Sequence, residues 1–288
     1  MRSRAAQRFF ANRGSLVGVV LIAILLVIAI FRPYLASHDP IAIDIDHGLT
    51  ERGAPLPPSA NAPLGTDDLG RDVWARVAEG TSTSLEIASL ATLCSLLIGL
   101  AIGLVAGYAG GWVDNALMRL VDLVLAFPFL LLAILLAALL RETELGSSNA
   151  PVVLTLGIVG WTTMARVIRG KAMTLAKSEM VLAARALGAS PWRIIVKHVL
   201  PNVAGVVIVV TALGFAQNVL AESVLSYLGL GVPPPAPTLG RMMYDGQAYY
   251  RTAPWLVLAP GIAILIAVVG FNLVGDGLRD ALDPKDRR

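Results

Sequence analysis

Apolar residues in this chain collect in long runs, without the strict alternation of strands or the 3.6-residue stripes of helices in soluble proteins. A bilayer core about 30 Å thick is crossed by about 20 mostly apolar helical residues. Six runs approach that size, at 15–31, 85–109, 117–140, 151–164, 203–220 and 254–274, the fourth being short and diluted by Thr155, Thr162 and Thr163. The pattern predicts an all-α polytopic membrane protein with six transmembrane helices. Residues 1–84 form a leader, the first helix and an outer segment; residues 85–288 form a five-helix core with an inner loop at about 170–201.

Composition strengthens this picture. Apolar residues make up 56% of the 288, charged ones 15%, and the mean hydropathy is +0.71, more apolar material than one soluble core of this length holds. The 23 basic residues against 20 acidic ones are too even to indicate nucleic-acid binding. A lone Cys94 excludes an intrachain disulfide, and three histidines are few for a metal protein. The basic leader (Arg2, Arg4, Arg8, Arg13) resembles that of a signal peptide, but the apolar run is long and ends in Arg32-Pro33 where small cleavage-site residues belong. Sorting bases by loop, with the N-terminus inside, puts sixteen of the 23 on the cytoplasmic side. Both termini are therefore expected to be cytoplasmic.

Within the spans, Ser95, Gly99, Gly103 and Gly107 recur at a four-residue step continued by Gly111, giving a bare helix face suited to close packing in lipid. Arg119 and Asp122 are spaced to pair on one face of the third span, a structural pair being favoured over a substrate contact. Glu222 has no basic neighbour in sequence, so a gate or pathway role stands beside the capping of a short helix at the outer surface. The stretch around Ser226–Val232 runs into Pro233, Pro234, Pro235 and Pro237, which predicts a short re-entrant or interfacial element.

The loop from Gly170 to Pro201 reads as two short helices. The first, 177–187, carries Glu179 in its first turn and stops at Gly188. The second has Ser190 as N-cap and Pro191 at the first position, an apolar stripe of Trp192, Ile195, Val196 and Val199, and Pro201 as its end. Arg193 and Lys197 lie off the stripe. Composition alone favours a helix lying on anionic lipid; the helix-Gly-helix layout, with small Ala183 and Ala184 beside Arg185, points part of the way towards docking another protein.

These residues carry a resemblance. Val181–Gly188 (Val-Leu-Ala-Ala-Arg-Ala-Leu-Gly) followed by Leu200-Pro201 resembles the EAA loop of ATP-binding-cassette importer permeases. Leu64–Arg76, Ala126-Phe127-Pro128, Leu225–Gly231 and Gly275–Pro284 are similar to the C-subunit branch of dipeptide and oligopeptide permeases. The resemblance implies a type I importer transmembrane domain, with no catalytic residue, metal or cofactor of its own. It implies as partners a second homologous permease subunit, two ATPase subunits or one fused chain holding ATP and Mg, an extracytoplasmic binding protein, and membrane lipid, with no nucleic acid. It also implies ATPase coupling through Glu179, Leu182, Ala183, Ala184, Arg185, Leu187 and Gly188, braced by Trp192, Arg193 and Ile195. Leu182 stands where the family pattern has glutamate. The substrates implied are di- or oligopeptides, with nickel chelates, glutathione or oligosaccharides open.

The residues agree with that division of labour. Gly170-Lys171 is followed by Ala172, so no phosphate-binding loop forms there. A secondary transporter would need mid-membrane ionisable residues and usually an internal repeat, and an intramembrane hydrolase would need a motif such as His-Glu-x-x-His; neither is found. A membrane scaffold would leave the two-helix loop without purpose. The outer segment, with Asp39, Asp44, Asp46, Glu51, Asp67, Asp68, Asp72 and Glu79 against Arg52, Arg71 and Arg76, is read as a solvated cap with internal Asp-Arg pairs, or as part of a surface receiving a binding protein.

Overall fold

A computed structural model describes residues 2–36 and 38–282, and the regular elements among them are helical. Asp283 and Pro284 of the C-terminal motif, and the bases Lys285, Arg287 and Arg288, lie outside the described residues.

A short α1 (Arg2–Ala11) leads into α2 (Arg13–Leu35), whose first turn is capped by Asn12, the side-chain oxygen accepting from the Gly14 N–H at 2.9 Å. The helix runs on through Arg32-Pro33 to Leu35. A cap follows, built around the one-turn α3 (Ile45–Gly48) and two isolated bridges. Asp72 then caps α4 (Val73–Ala109), accepting from the Trp74 N–H at 2.9 Å. This helix is 37 residues long, about 55 Å at 1.5 Å per residue, and passes unbroken through positions 84 and 85. It ends where Gly110 and Gly111 both take positive φ, +64° and +56°. Gly111 therefore opens the next helix and does not extend the bare face of α4.

The third span is not the single helix predicted over 117–140. It is α5 (Gly111–Leu125) and α6 (Phe129–Arg141), bent by 84° at Ala126-Phe127-Pro128. Pro128 has no N–H to continue the ladder and restricts Phe127 before it, so the helix restarts at a new angle. The two halves still make one crossing. Asp114 near the start meets Arg169 at the loop end of the molecule, while Arg141 at the finish donates to the carbonyls of Gly229 and Gly231 at the cap end.

The fourth span, α7 (Ala150–Ala176), is nearly twice its predicted length. Beyond Met164 it is amphipathic: Ala165, Ile168 and Ala172 are buried while Arg166 and Gly170 are exposed, a pattern that a search for apolar runs misses. α8 (Glu179–Ala186) and α9 (Pro191–Ile194) form the loop. Pro201 does not end the second helix. α9 passes through a π-wound turn, Ile195–Val199, into α10 (Leu200–Tyr227), and the wider turn accommodates the carbonyls that Pro201 cannot serve. Asn202 Nδ2 donates to the His198 carbonyl at 2.7 Å there. α10 ends at Tyr227 and residues 228–232 form a turn, closed by Leu230 N–H to the Leu225 carbonyl at 2.8 Å, so the helix stops within the stretch where the prolines predicted it could not continue. α11 (Leu239–Gly246) and α12 (Trp255–Leu282) complete the chain.

The bare face of α4 packs within the chain, on α7. A Cβ added at Gly99 would meet Met164 and Trp161, at Gly103 Ala165 and Ile168, and at Gly107 Arg169 and Ala172, all at 2.6–3.0 Å. Ser95 continues the contact by donating to the Gly157 carbonyl at 3.1 Å. α2 lies against α12 by the same device, Gly18 facing the Gly270 backbone. Asn12 also reaches Asp280 at 3.4 Å, so the N-terminal segment and the end of α12 share the loop end.

Candidate functional site

The loop helix α8 is held at both ends by local chemistry. Ser178 Oγ donates to the Leu175 carbonyl at 2.6 Å, closing α7. Gly188, with φ +78°, lets the Ala189 N–H return to the Ala184 carbonyl and its own N–H to the Arg185 carbonyl, satisfying the last carbonyls of α8. One face of α8 is anchored: Val181 and Ala184 are buried in a cluster with Leu104, Ile168, Ile194 and Val199. The other face is open. Leu182 is 51% exposed and Leu187 89%, with Ala183, Arg185 and Ala186 between them, and the Arg185 guanidinium lies 5.6 Å from the centre of the Tyr108 ring. Ala184, 9% exposed, packs into that cluster, so the open face presents Ala183 in its place. Glu179 stands in the first turn of α8, where a carboxylate is favoured by the helix dipole.

Of the expected brace residues, Ile195 packs against the bundle while Trp192 and Arg193 lie on the surface. Ser190 caps α9 through the Arg193 N–H at 3.4 Å, but Trp192 is 72% exposed and Arg193 is exposed as well. Ile194, Ile195 and Val199 make the contact with the bundle. The π turn rotates the stripe by part of a turn relative to an α-helix, which a regular periodicity cannot anticipate.

Two ion pairs tie α5 to α7 at the loop end. Arg169 engages Asp114 with two nitrogens, at 2.5 and 2.6 Å, and Arg166 meets Asp122 at 2.6 Å. Asp122 therefore pairs across helices and not with Arg119, which is exposed. In sequence these arginines register only as loop charges, so the tertiary pairing carries no local signal.

Glu222 is fully buried in α10 and does not cap a helix at the surface. Its carboxylate accepts from Ser226 Oγ at 2.7 Å and Ser223 Oγ at 3.4 Å, with Ser84 of α4 on its other side. Ser84 Oγ also accepts from the Leu239 N–H of α11 at 3.4 Å, so the carboxylate is enclosed where α4, α10 and α11 meet.

The cap turns several of its acids inward. Arg71 holds Asp67 at 2.7 Å, Arg76 approaches the same carboxylate at 3.3 Å, Arg32 pairs with Glu79 at 2.6 Å, and His38 meets Asp72 at 3.0 Å. Burial, followed by the neighbouring Asp67, pushes the Asp68 carboxyl above its usual range. Asp44 is held below it by the His47 backbone N–H. Asp39, Asp46 and Glu51 remain exposed. Among the described residues, no group of three or more histidine, cysteine or acidic side chains is placed to hold a metal ion.

Halfway through the bundle, a cavity of 430 Å³ opens at the bend between α5 and α6, with α7 and α10 as its other walls. Phe127, Phe129 and Leu130 line it from the bend; Thr162, Thr163, Gln217 and Asn218 bring polar atoms from α7 and α10.

Residues 99–288 match the family described as binding-protein-dependent transport system inner membrane component, and residues 1–58 match the N-terminal transmembrane domain of oligopeptide transport permease C. The chain belongs to that binding-protein-dependent transport family. Among relatives of this inner membrane component, the dipeptide transport system permease protein DppC of Alkalihalophilus pseudofirmus is 39% identical over 95% of this chain and 86% of its own. The oligopeptide transport system permease protein OppC of Bacillus subtilis is 38% identical over 99% and 90%. The glutathione transport system permease protein GsiD of Pectobacterium atrosepticum is 35% identical over 97% and 89%. A chain of the inward-facing MetNI methionine ABC transporter, in its CY5 native crystal form, superposes with a TM-score of 0.59 at 19% identity, covering 72% of this chain and 96% of that one. That likeness is one of fold. The permease is an integral membrane protein with the transmembrane fold of an ABC importer.

Proposed function

We propose that this chain is the membrane-crossing subunit of an ATP-driven importer that carries di- or oligopeptides delivered by an extracytoplasmic binding protein. A second homologous permease subunit completes the path, and two ATPase subunits, or one fused chain, bind ATP and Mg on the cytoplasmic side. The cap faces outwards, the loop and both termini inwards, in line with the concentration of bases at the loop end.

The observation that carries the coupling assignment is α8, a short helix anchored on one face by Val181 and Ala184 and open on the other at Leu182, Ala183, Arg185, Ala186 and Leu187. Seated in an ATPase groove, it passes the closure of the ATPase pair to α4 and α7 through the cluster beneath it, a rigid-body coupling of separate sites. Leu182 gives the contact an apolar element where the family pattern has a carboxylate. The peptide assignment is supported by relatives described as dipeptide and oligopeptide permeases; the glutathione permease among them keeps a second, chemically related cargo in view.

A bulky charge at an exposed small residue tests the docking. Ala183→Arg should leave the chain folded and membrane-inserted but abolish co-purification of the ATPase and peptide uptake. Wild-type uptake by that variant, with an intact complex, would remove α8 from the coupling role.

A further inference from the structure

Three mid-bundle features converge on the cavity at the α5–α6 bend. The first is the bend itself, with fifteen helical residues before it and thirteen after, so the break in backbone hydrogen bonding lies near the centre of the crossing. Non-helical backbone at that depth is tolerated only inside protein or beside water. The second is Thr163, central in α7, exposed and without a hydrogen-bond partner among the described residues. The third is Gln217, also exposed and without a hydrogen-bond partner among the described residues, one residue before Asn218, whose Nδ2 donates to Thr92 Oγ1 at 2.9 Å in the middle of α4. All three line the same 430 Å³ space, and none of its lining residues is charged. Facing lipid, the primary amide of Gln217 would forfeit its hydrogen bonds at a cost of several kcal/mol.

We propose that Gln217, with Thr163 beside it, is the mid-membrane contact of this subunit for the transported peptide, made to the peptide backbone. The inference rests on the permease reading above. A side-chain amide offers both a donor and an acceptor, as a peptide bond does, and matches any peptide whatever its side chains. The absence of charge suits a passage point, where binding must permit entry and still allow release. Phe127, Phe129 and Leu130 supply apolar walls for the side chains.

The test uses the complete transporter in proteoliposomes, with Cys94→Ser removing the natural thiol. Gln217→Cys and, separately, Thr163→Cys are treated with a membrane-impermeant cationic methanethiosulfonate, with Leu97→Cys, exposed on α4 and outside the cavity lining, as the control. Both cavity positions should react, the control should not, and a transported dipeptide should slow the reaction. Gln217→Leu should lower dipeptide uptake about tenfold, the value of one hydrogen bond, with ATPase activity and subunit co-purification retained, and Gln217→Asn should recover part of the loss. Thiols that stay unreactive at both positions, or wild-type uptake by Gln217→Leu, overturn the proposal. A wild-type complex that imports no peptide while the cavity thiols react overturns the peptide reading and leaves a water-lined passage of different cargo.

Discussion

Replacing Gly103 by alanine sets the tightest test of how α4 and α7 are joined. The new methyl carbon would lie 2.7 Å from the Ala165 carbonyl oxygen and 2.9 Å from Ile168 Cβ. The first of these is backbone and cannot rotate away. Carbon contacts are optimal at about 3.5–4.0 Å, so the helices must part by roughly 0.5–1 Å, enough to forfeit a quarter to a half of each contact along the seam. Overpacking of this kind costs about 1–3 kcal/mol, while the better helix propensity of alanine returns about 1 kcal/mol. The net loss is up to about 2 kcal/mol, a fall of a few degrees in unfolding temperature. Gly170→Ala is the internal control: it lies in α7 with nothing within 4 Å of an added Cβ, so propensity alone should stabilise it by about 0.5–1 kcal/mol. The assay is thermal unfolding of the purified protein in one detergent. If Gly103→Ala unfolds above the wild-type temperature, as the control should, the close approach of these helices is refuted.

Other outcomes follow from the same contacts. A double-mutant cycle on Asp114 and Arg169 should give a coupling of about 1.5–3 kcal/mol, as for a charge-assisted pair, read by chemical unfolding; a coupling near zero would mean that α5 is not tied to α7. Glu222→Gln keeps a polar group among Ser223 and Ser226 and should fold normally. Glu222→Ala strands the Ser226 hydroxyl, while Ser223 keeps the Val219 carbonyl, at a cost of about 1–3 kcal/mol, seen as lower yield and unfolding temperature, and equal behaviour of the two variants would contradict that account. The Asp68 carboxyl is raised by burial, so its charged form is disfavoured in the folded protein. Asp68→Asn should therefore stabilise at pH 7, with the gain falling as pH drops through the raised folded value and lost below the unfolded value of 3.8, where the wild-type carboxyl becomes protonated in both states. A gain of equal size at pH 7 and pH 3.5 would contradict that origin.

The apolar runs determined by themselves that this is an all-helical membrane protein, because backbone groups in lipid must be satisfied within their own segment and long apolar helices do so without partners. Local rules also determined the cap at Ser190, the turn at Gly188 and the four-residue glycine face, each needing only neighbours a few residues away. Sequence did not determine which way those surfaces point. Ala184 and Ala183 are adjacent and chemically identical, yet only the fold buries the first and exposes the second. Asp122 has Arg119 at helical spacing and pairs with Arg166 of another helix at 2.6 Å, since the fold packs α5 against α7. Pro201 breaks isolated helices but here follows a π turn that packing makes affordable, turning Trp192 out of the core. Glu222, Thr163 and Gln217 differ in role for the same reason: whether a polar side chain inside a span is enclosed by hydroxyls or faces an open cavity depends on helices far away in sequence.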